Sequence, residues 1–214
     1  MYELTVSVSA VLLLVSSLHY AWLAWEGKSD PVLATWILMM VMMGLSCWMY
    51  FESPNPSWTA NINVTAGMVN IAINLIGVTA GHIRRGTLGV AFDRIQSVCL
   101  VGGVVVVVLW FLTRNPYAMY VMVQVIALIA LFGTARRLWG AVGSTEPVFL
   151  WVVVFFAGLC AIYPAVARDD EFAQIYLARA IPSVIFMIHL VWKAKKRGER
   201  ANLAAAHAFQ RAAS

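Results

Sequence analysis

The sequence predicts an all-α membrane protein with seven transmembrane helices. Seven apolar stretches, each about as long as a bilayer is thick, fill nearly all of its 214 residues. The chain is 62% hydrophobic and 12% charged, against about 25% charged in an average soluble protein. Its basic residues alternate from loop to loop, the pattern of loops that face opposite sides of a membrane. A helix rises 1.5 Å per residue, so ~20 apolar residues cross ~30 Å of hydrocarbon. Seven crossings leave almost no room for a soluble domain.

The first span covers 4–25. It carries Glu3 where a cleaved signal would carry basic residues, and it runs too long for one. The second covers 31–51 and opens at Pro31. The third covers 58–82, after a loop holding Glu52, Pro54 and Pro56. The fourth covers 95–113 and contains Val104, Val105, Val106, Val107, Val108 and Leu109, a run with no polar face. The fifth covers 116–137 and ends on Arg136 and Arg137. The sixth covers 147–167 and opens at Pro147. The seventh covers 172–193, followed by a tail, 194–214, that is basic and then alanine-rich around Ala201–Ala206. Cys47, Cys99 and Cys160 all fall inside apolar stretches, without metal or disulfide spacing, and read as small buried hydrophobes.

Lys28, Arg84, Arg85, Arg94, Arg136, Arg137, Lys193, Lys195, Lys196, Arg197, Arg200 and Arg211 fall in one set of alternate loops. Arg114 and Arg168 fall in the other. The basic side is cytoplasmic by the positive-inside rule. The N-terminus is then outside and the C-terminus inside, which requires an odd number of spans. The net charge of +5 reflects this asymmetry and does not indicate nucleic-acid binding.

The chain contains an internal repeat. Ser29-Asp30-Pro31-Val32 matches Thr145-Glu146-Pro147-Val148 as an acid-Pro-Val step. Proline suits a first helical position, where its missing N–H needs no partner. Each step opens a helix with a tryptophan one turn in, Trp36 and Trp151. Each helix continues to Gly44-Leu45-Ser46-Cys47 or Gly158-Leu159-Cys160, then to Tyr50 or Tyr163. Helices 1–3 then correspond to helices 5–7, and helix 4 is a linker that restores orientation. The organisation is a first three-helix bundle at 1–82, a loop and linker helix at 83–115, a second bundle at 116–193, and the tail. Parallel repeats of this kind are a transporter design with the substrate site between the halves.

This 3+1+3 layout, with a cytoplasmic proline at the start of the second helix of each triplet, resembles the SWEET and PQ-loop superfamily. Vitamin transporters of the PnuC type share it. The hallmark Pro-Gln is replaced here by Pro31-Val32 and Pro147-Val148. The resemblance implies alternating access between two bundles, an asparagine of the third helix at the substrate, and self-association into a homo-oligomer.

Polar side chains in hydrocarbon are costly and face the bundle interior. Asn63, Gly67, Asn70, Asn74, Gly77 and Gly81 recur at spacings of three and four, on one stripe of helix 3. Asn70 and Asn74 are expected to contact a small polar solute or a neighbouring helix, and Asn70 is the position the resemblance carries over. Gln124, alone and polar in the middle of helix 5, is expected in the pocket. Arg179 has two uses, a solute carboxylate or carbonyl, or pairing with Asp169, Asp170 or Glu171 at the same surface; the structural pairing is the expected one. Trp36 and Trp151 are interface anchors or the walls of an inner gate. Pro31, Pro147 and Pro182 mark hinge or gate positions, Pro182 by removing a helical hydrogen bond. Trp22, Trp25, Trp58 and Trp139 read as interface belt residues.

No acidic residue lies mid-membrane, and His19 and His189 sit near helix ends. A proton pump needs a buried carboxylate or histidine chain, so the expectation is a facilitator for a sugar, nucleoside or vitamin in a bacterial inner membrane. No enzyme motif is present: no HExxH, GxSxG or P-loop, and no metal or cofactor site. Helix 7 lacks the interior lysine of a retinal protein. The rival reading is a non-transporting sensor or assembly protein of the same fold.

Overall fold

The computed structural model describes residues 1–29, 31–144 and 146–213, without the side chains of Gly133, Arg137 and 205–213. Asp30 and Thr145 of the repeat, the side chains of Arg137 and Arg211, and those of Ala205 and Ala206 in the alanine-rich tail, lie outside the described residues.

Seven helices form, in chain order: α1 (Tyr2–Trp25), α2 (Leu33–Phe51), α3 (Ile62–Arg85), α4 (Arg94–Thr113), α5 (Pro116–Gly140), α6 (Val148–Ala167) and α7 (Glu171–Ala213). All seven are long and apolar enough to cross a membrane, the pattern of a multi-pass membrane protein. The burial pattern agrees. Val104, Leu112, Ile76, Val69 and Phe132 are exposed, while Ser9, Ser16, Ser17, Ser46, Asn70, Asn74 and Gln124 are buried. In water this would be inside out; in lipid, which competes for no hydrogen bonds, it is the favourable arrangement.

Short connections set the directions. α1 and α3 run parallel, as bonds at both ends show: Tyr2 Oη to Thr59 Oγ1 at 2.8 Å, and Arg85 Nη1 donating to Ala24 O at 2.7 Å. α5 and α7 likewise run parallel, through Gln124 with Arg179 and Leu138 with Arg197. α3 lies against both α1 and α2; α7 lies against both α5 and α6. Two further seams, α1 with α6 and α2 with α5, close the ring. α4 sits outside it, against α2 and α5, with Val101, Val104, Val105 and Val108 exposed and Cys99, Gly103, Val106 and Trp110 buried. The side of the bundle carrying Arg84, Arg85 and Arg197 is called the basic end below, and the side carrying Glu52 and Asp170 the acidic end.

Gly77 and Gly81 are where α1 and α3 come closest. A Cβ at Gly77 would meet Ala21 Cβ and lie 2.6 Å from Ala21 Cα, and one at Gly81 would meet Ala24 O. The small-xxx-small stripe is thus occupied by backbone contact.

Several boundaries differ from the sequence reading. α3 begins at Ile62 rather than 58, because Ser57 is tied down: its N–H donates to Tyr50 Oη at 2.7 Å. It runs on to Arg85 and stops at Gly86, whose φ of 66° is the left-handed cap glycine favours. Pro31 and Pro147 stand before their helices, Pro147 as the N-cap of α6 with extended backbone. Only Pro116 occupies a first helical turn. The chain after 193 continues α7. It docks there: Arg197 donates to Trp139 O at 2.6 Å and Leu138 O at 2.8 Å, and Gly198 leaves room for Gly143, whose N–H donates to Ala194 O at 3.1 Å.

Candidate functional site

A cavity of about 140 Å³ lies at the centre of the ring, bordered by α1, α2, α3, α5, α6 and α7. Its walls are mostly apolar: Met39, Met42, Met43, Phe155, Trp36 and Trp151. Asn70, Asn74 and Arg179 also line it. Five of the six residues singled out for substrate contact therefore meet in one place. Gln124 does not line it and stands behind Arg179.

Two hydrogen-bond relays lead into the cavity, and their direction is fixed at the far end. In the first, the carbonyl of Leu13 can only accept. Asn70 Nδ2 donates to it at 2.6 Å and to Ser16 Oγ at 3.1 Å. That orients the Asn70 amide and presents its Oδ1, which accepts from Asn74 Nδ2 at 3.2 Å. Asn74 Oδ1 is left over. Asn74 is 1% exposed, and this oxygen has no hydrogen-bond partner. Asn70 spends its amide nitrogen on holding α1, so of these two asparagines Asn74 is the one with a free polar atom.

The second relay starts at the Met42 carbonyl, to which Ser46 Oγ donates at 2.9 Å. The serine oxygen then accepts from Gln124 Nε2 at 3.0 Å. This orients the Gln124 amide, whose Oε1 accepts from Arg179 Nε at 3.0 Å. Tyr176 lies under the guanidinium, 4.8 Å from its ring centre, a cation–π contact. The pairing expected between Arg179 and the acidic cluster is not made. Asp170 is engaged elsewhere, capping α7 through Ala173 N–H at 2.9 Å and accepting from Tyr50 Oη at 2.6 Å.

The ends of the cavity differ. Toward the basic end, Trp36 and Trp151, each three residues into its helix, also line a wider space of about 600 Å³. Thr35, Gln96, Thr134 and Glu146 border that space, and Glu146 accepts from Tyr20 Oη at 3.1 Å. Toward the acidic end, Phe172 meets Tyr50, Tyr117 and Tyr120 edge-on, with centroids 5.8, 5.7 and 5.0 Å away. The Tyr50–Asp170 bond ties the end of α2 to the start of α7 across this plug.

Pro182 faces away from the cavity. It borders a groove with Ile162, Val166, Gln174, Leu177 and Ala178 on the outer side of α6 and α7. The belt tryptophans Trp22, Trp25, Trp58 and Trp139 are all exposed. Sequence reasoning passed over Ser46, Ser9 and the Tyr50–Asp170 tie. Ser9 Oγ lies 3.0 Å from Ala157 O and 3.2 Å from Asn63 Oδ1, linking α1, α3 and α6. A serine within an apolar stretch was the available signal, but a lone serine satisfies itself on its own helix as often, as Ser17 does on Leu14 O.

No protein-family model, curated protein or solved structure matches this chain.

Proposed function

We propose that this protein is a membrane facilitator for a small polar solute, working by alternating access between two three-helix bundles joined by α4. The observation that carries the proposal is the central cavity, which lies where the two sets of helices meet and receives a polar atom from each, Asn74 and Arg179. A filled apolar centre would favour a sensor or assembly protein instead.

Several features support the repeat. α3 is the middle helix of the first triplet as α7 is of the second, and the α1–α6 seam has its counterpart in α5–α2. Aligning Gly86 with Gly198 sets Arg85 opposite Arg197. Each of these arginines caps the terminal carbonyls of the first helix of its triplet, Ala24 in one case and Leu138 and Trp139 in the other. The same count sets Arg179 opposite Gly67, and both line the cavity. Each seam also holds one polar bridge: Ser9 with Asn63 and the Ala157 carbonyl, and Gln124 with Arg179 and Ser46. In this reading the conformation is closed at the acidic end by Tyr50, Asp170 and Phe172, and meets the wider space at Trp36 and Trp151. By the positive-inside rule the wider space faces the cytoplasm, in a bacterial inner membrane.

Rocking the bundles would break the Tyr50–Asp170 tie and close the tryptophan pair. No carboxylate among the described residues lines the cavity, so transport is expected to run down the solute gradient. The test is uptake and counterflow in proteoliposomes with a panel of labelled solutes. Flux should persist after an uncoupler collapses the proton gradient. Flux abolished by the uncoupler would sink the facilitator, and absence of counterflow across the panel would sink transport. Asn70→Ala, which cuts the first relay at its root, should lower flux while the protein still folds.

A further inference from the structure

We infer that the central cavity is a carboxylate site, built for a small monocarboxylate that carries a hydrogen-bond donor on an apolar body. The inference rests on taking this cavity as the solute site, and it names the solute's chemistry.

The two relays end in opposite ways inside one cavity. The first ends in an acceptor, Asn74 Oδ1, buried and without a partner. An unmet buried acceptor is costly, and a donor group on the solute would relieve it. The second ends in a cation. Gln124 occupies Arg179 Nε, and Tyr176 covers one face of the guanidinium. What remains is the edge formed by Nη1 and Nη2, a planar fork whose spacing matches a carboxylate.

Charge points the same way. Among the described residues, Arg179 is the only charged one lining the cavity, with no acid beside it. Its hydrogen-bond partner is a neutral amide. The ion pair of Lys28 with Glu26 lies at the basic end. A guanidinium inside a membrane without a counterion is unfavourable, so an anionic solute gains from neutralising it.

Size and walls narrow the class. A dry cavity of about 150 Å³ takes up benzene, so about 140 Å³ accommodates the apolar body of the solute, one ring or a branched chain of that size, with its two polar groups reaching out to the relay ends. Met39, Met42, Met43 and Phe155 form adaptable apolar walls. Ser46 and Asn70 spend their polar groups on the relays and Asn63 accepts from Ser9, which leaves Ser183 and the unpartnered Nε1 of Trp151 as the other polar groups of the lining. A hexose, with hydroxyls on every side, would set several of them against thioethers and an aromatic ring. A hydroxylated aromatic acid would place its carboxylate on Arg179, its hydroxyl on Asn74 and its ring among the methionines.

The test uses the full-length protein purified in detergent, with 4-hydroxybenzoate, 4-hydroxybenzamide, benzoate and glucose as probes, read by calorimetric titration and thermal shift. 4-Hydroxybenzoate should bind at least about tenfold more tightly than its amide, the usual gain of a charge-assisted over a neutral bond. It should also bind more tightly than benzoate. Arg179→Gln should bring the acid-to-amide ratio close to one, while Arg179→Lys keeps the acid preferred. Gln124→Glu, which supplies an internal counterion, should also erase the preference. Asn74→Leu should erase the advantage of the hydroxyl.

An unmutated protein that fails to bind 4-hydroxybenzoate, binds the amide as well as the acid, or prefers glucose overturns the proposal without any variant. Proteoliposome flux separates the two readings. Binding of the acid with no flux leaves the carboxylate site and removes the transporter. Glucose flux without acid binding does the reverse.

Discussion

Replacing Gln124 by leucine should destabilise the protein more than replacing it by glutamate, and the structure sets the scale. Gln124 makes two buried hydrogen bonds, one to Ser46 Oγ and one from Arg179 Nε, each of 3.0 Å. A neutral bond between transmembrane helices contributes about 0.6 kcal/mol on average. A bond to a charged group contributes about 1.5–3 kcal/mol. Leucine removes both and is close to glutamine in volume, so little cavity cost is added. The expected loss is about 2–3.5 kcal/mol. On the scale of a chain this long, ~2–4 °C per kcal/mol, that lowers the melting temperature by roughly 4–14 °C. Glutamate keeps an acceptor for Arg179 and turns the contact into an ion pair. Ser46 can rotate its hydroxyl from Met42 O to the new carboxylate. Its stability should therefore stay near that of the parent. The assay is thermal unfolding of the purified full-length protein in one detergent, without added solute. If the leucine variant melts within about a degree of the parent, or the two variants melt together, the relay is not holding α5 to α2 and α7 as argued.

Other consequences follow from the contacts. Gly77→Leu should prevent the assembly of α1 on α3, because the side chain would occupy the space of Ala21; folded yield against Gly89→Ala, where nothing lies nearby, is the measure, and equal yields would contradict it. Tyr50→Phe should loosen the acidic end by deleting the bonds to Asp170 and Ser57. A cysteine placed at Asn55, which borders the surface space there, should then react faster with a membrane-impermeant maleimide, and an unchanged rate would count against the tie. Arg197→Ala should raise amide exchange across residues 194–204 by freeing the end of α7 from Leu138 and Trp139. Protection unchanged from the parent would mean that segment needs no docking.

What could be read from the sequence is what depends on one helix at a time. Span number follows from length and hydropathy, since a segment partitions into lipid on its own composition. The ends came within a few residues wherever a polar cluster or proline stopped the pattern, as at Trp25, Phe51, Thr113 and Ala167. The asparagine stripe of α3 needed only helical periodicity, and all of its members are buried or partly buried. The α7 extension was hidden because its cause is non-local: Arg197 finds carbonyls on α5, and Gly198 finds the backbone of Gly143.

The site shows the same division. Trp36, Trp151, Asn70, Asn74 and Arg179 were identifiable as costly or unusual residues in an apolar chain, each placed by its position along a single helix. Their roles were not. Only packing brought Gln124 between Ser46 and Arg179, drew Arg179 away from the acids nearest to it in sequence, and left Asn74 with the free oxygen. Hydropathy and periodicity are properties of neighbours along the chain; a relay crossing three helices, as from Ser46 through Gln124 to Arg179, is a property of neighbours in space. The sequence by itself therefore determined a bundle of seven spanning helices with a polar interior, because burial in lipid is decided segment by segment. The tertiary structure alone decided which polar groups satisfy one another and which are left without a partner, because a hydrogen bond needs its partner within about 3 Å.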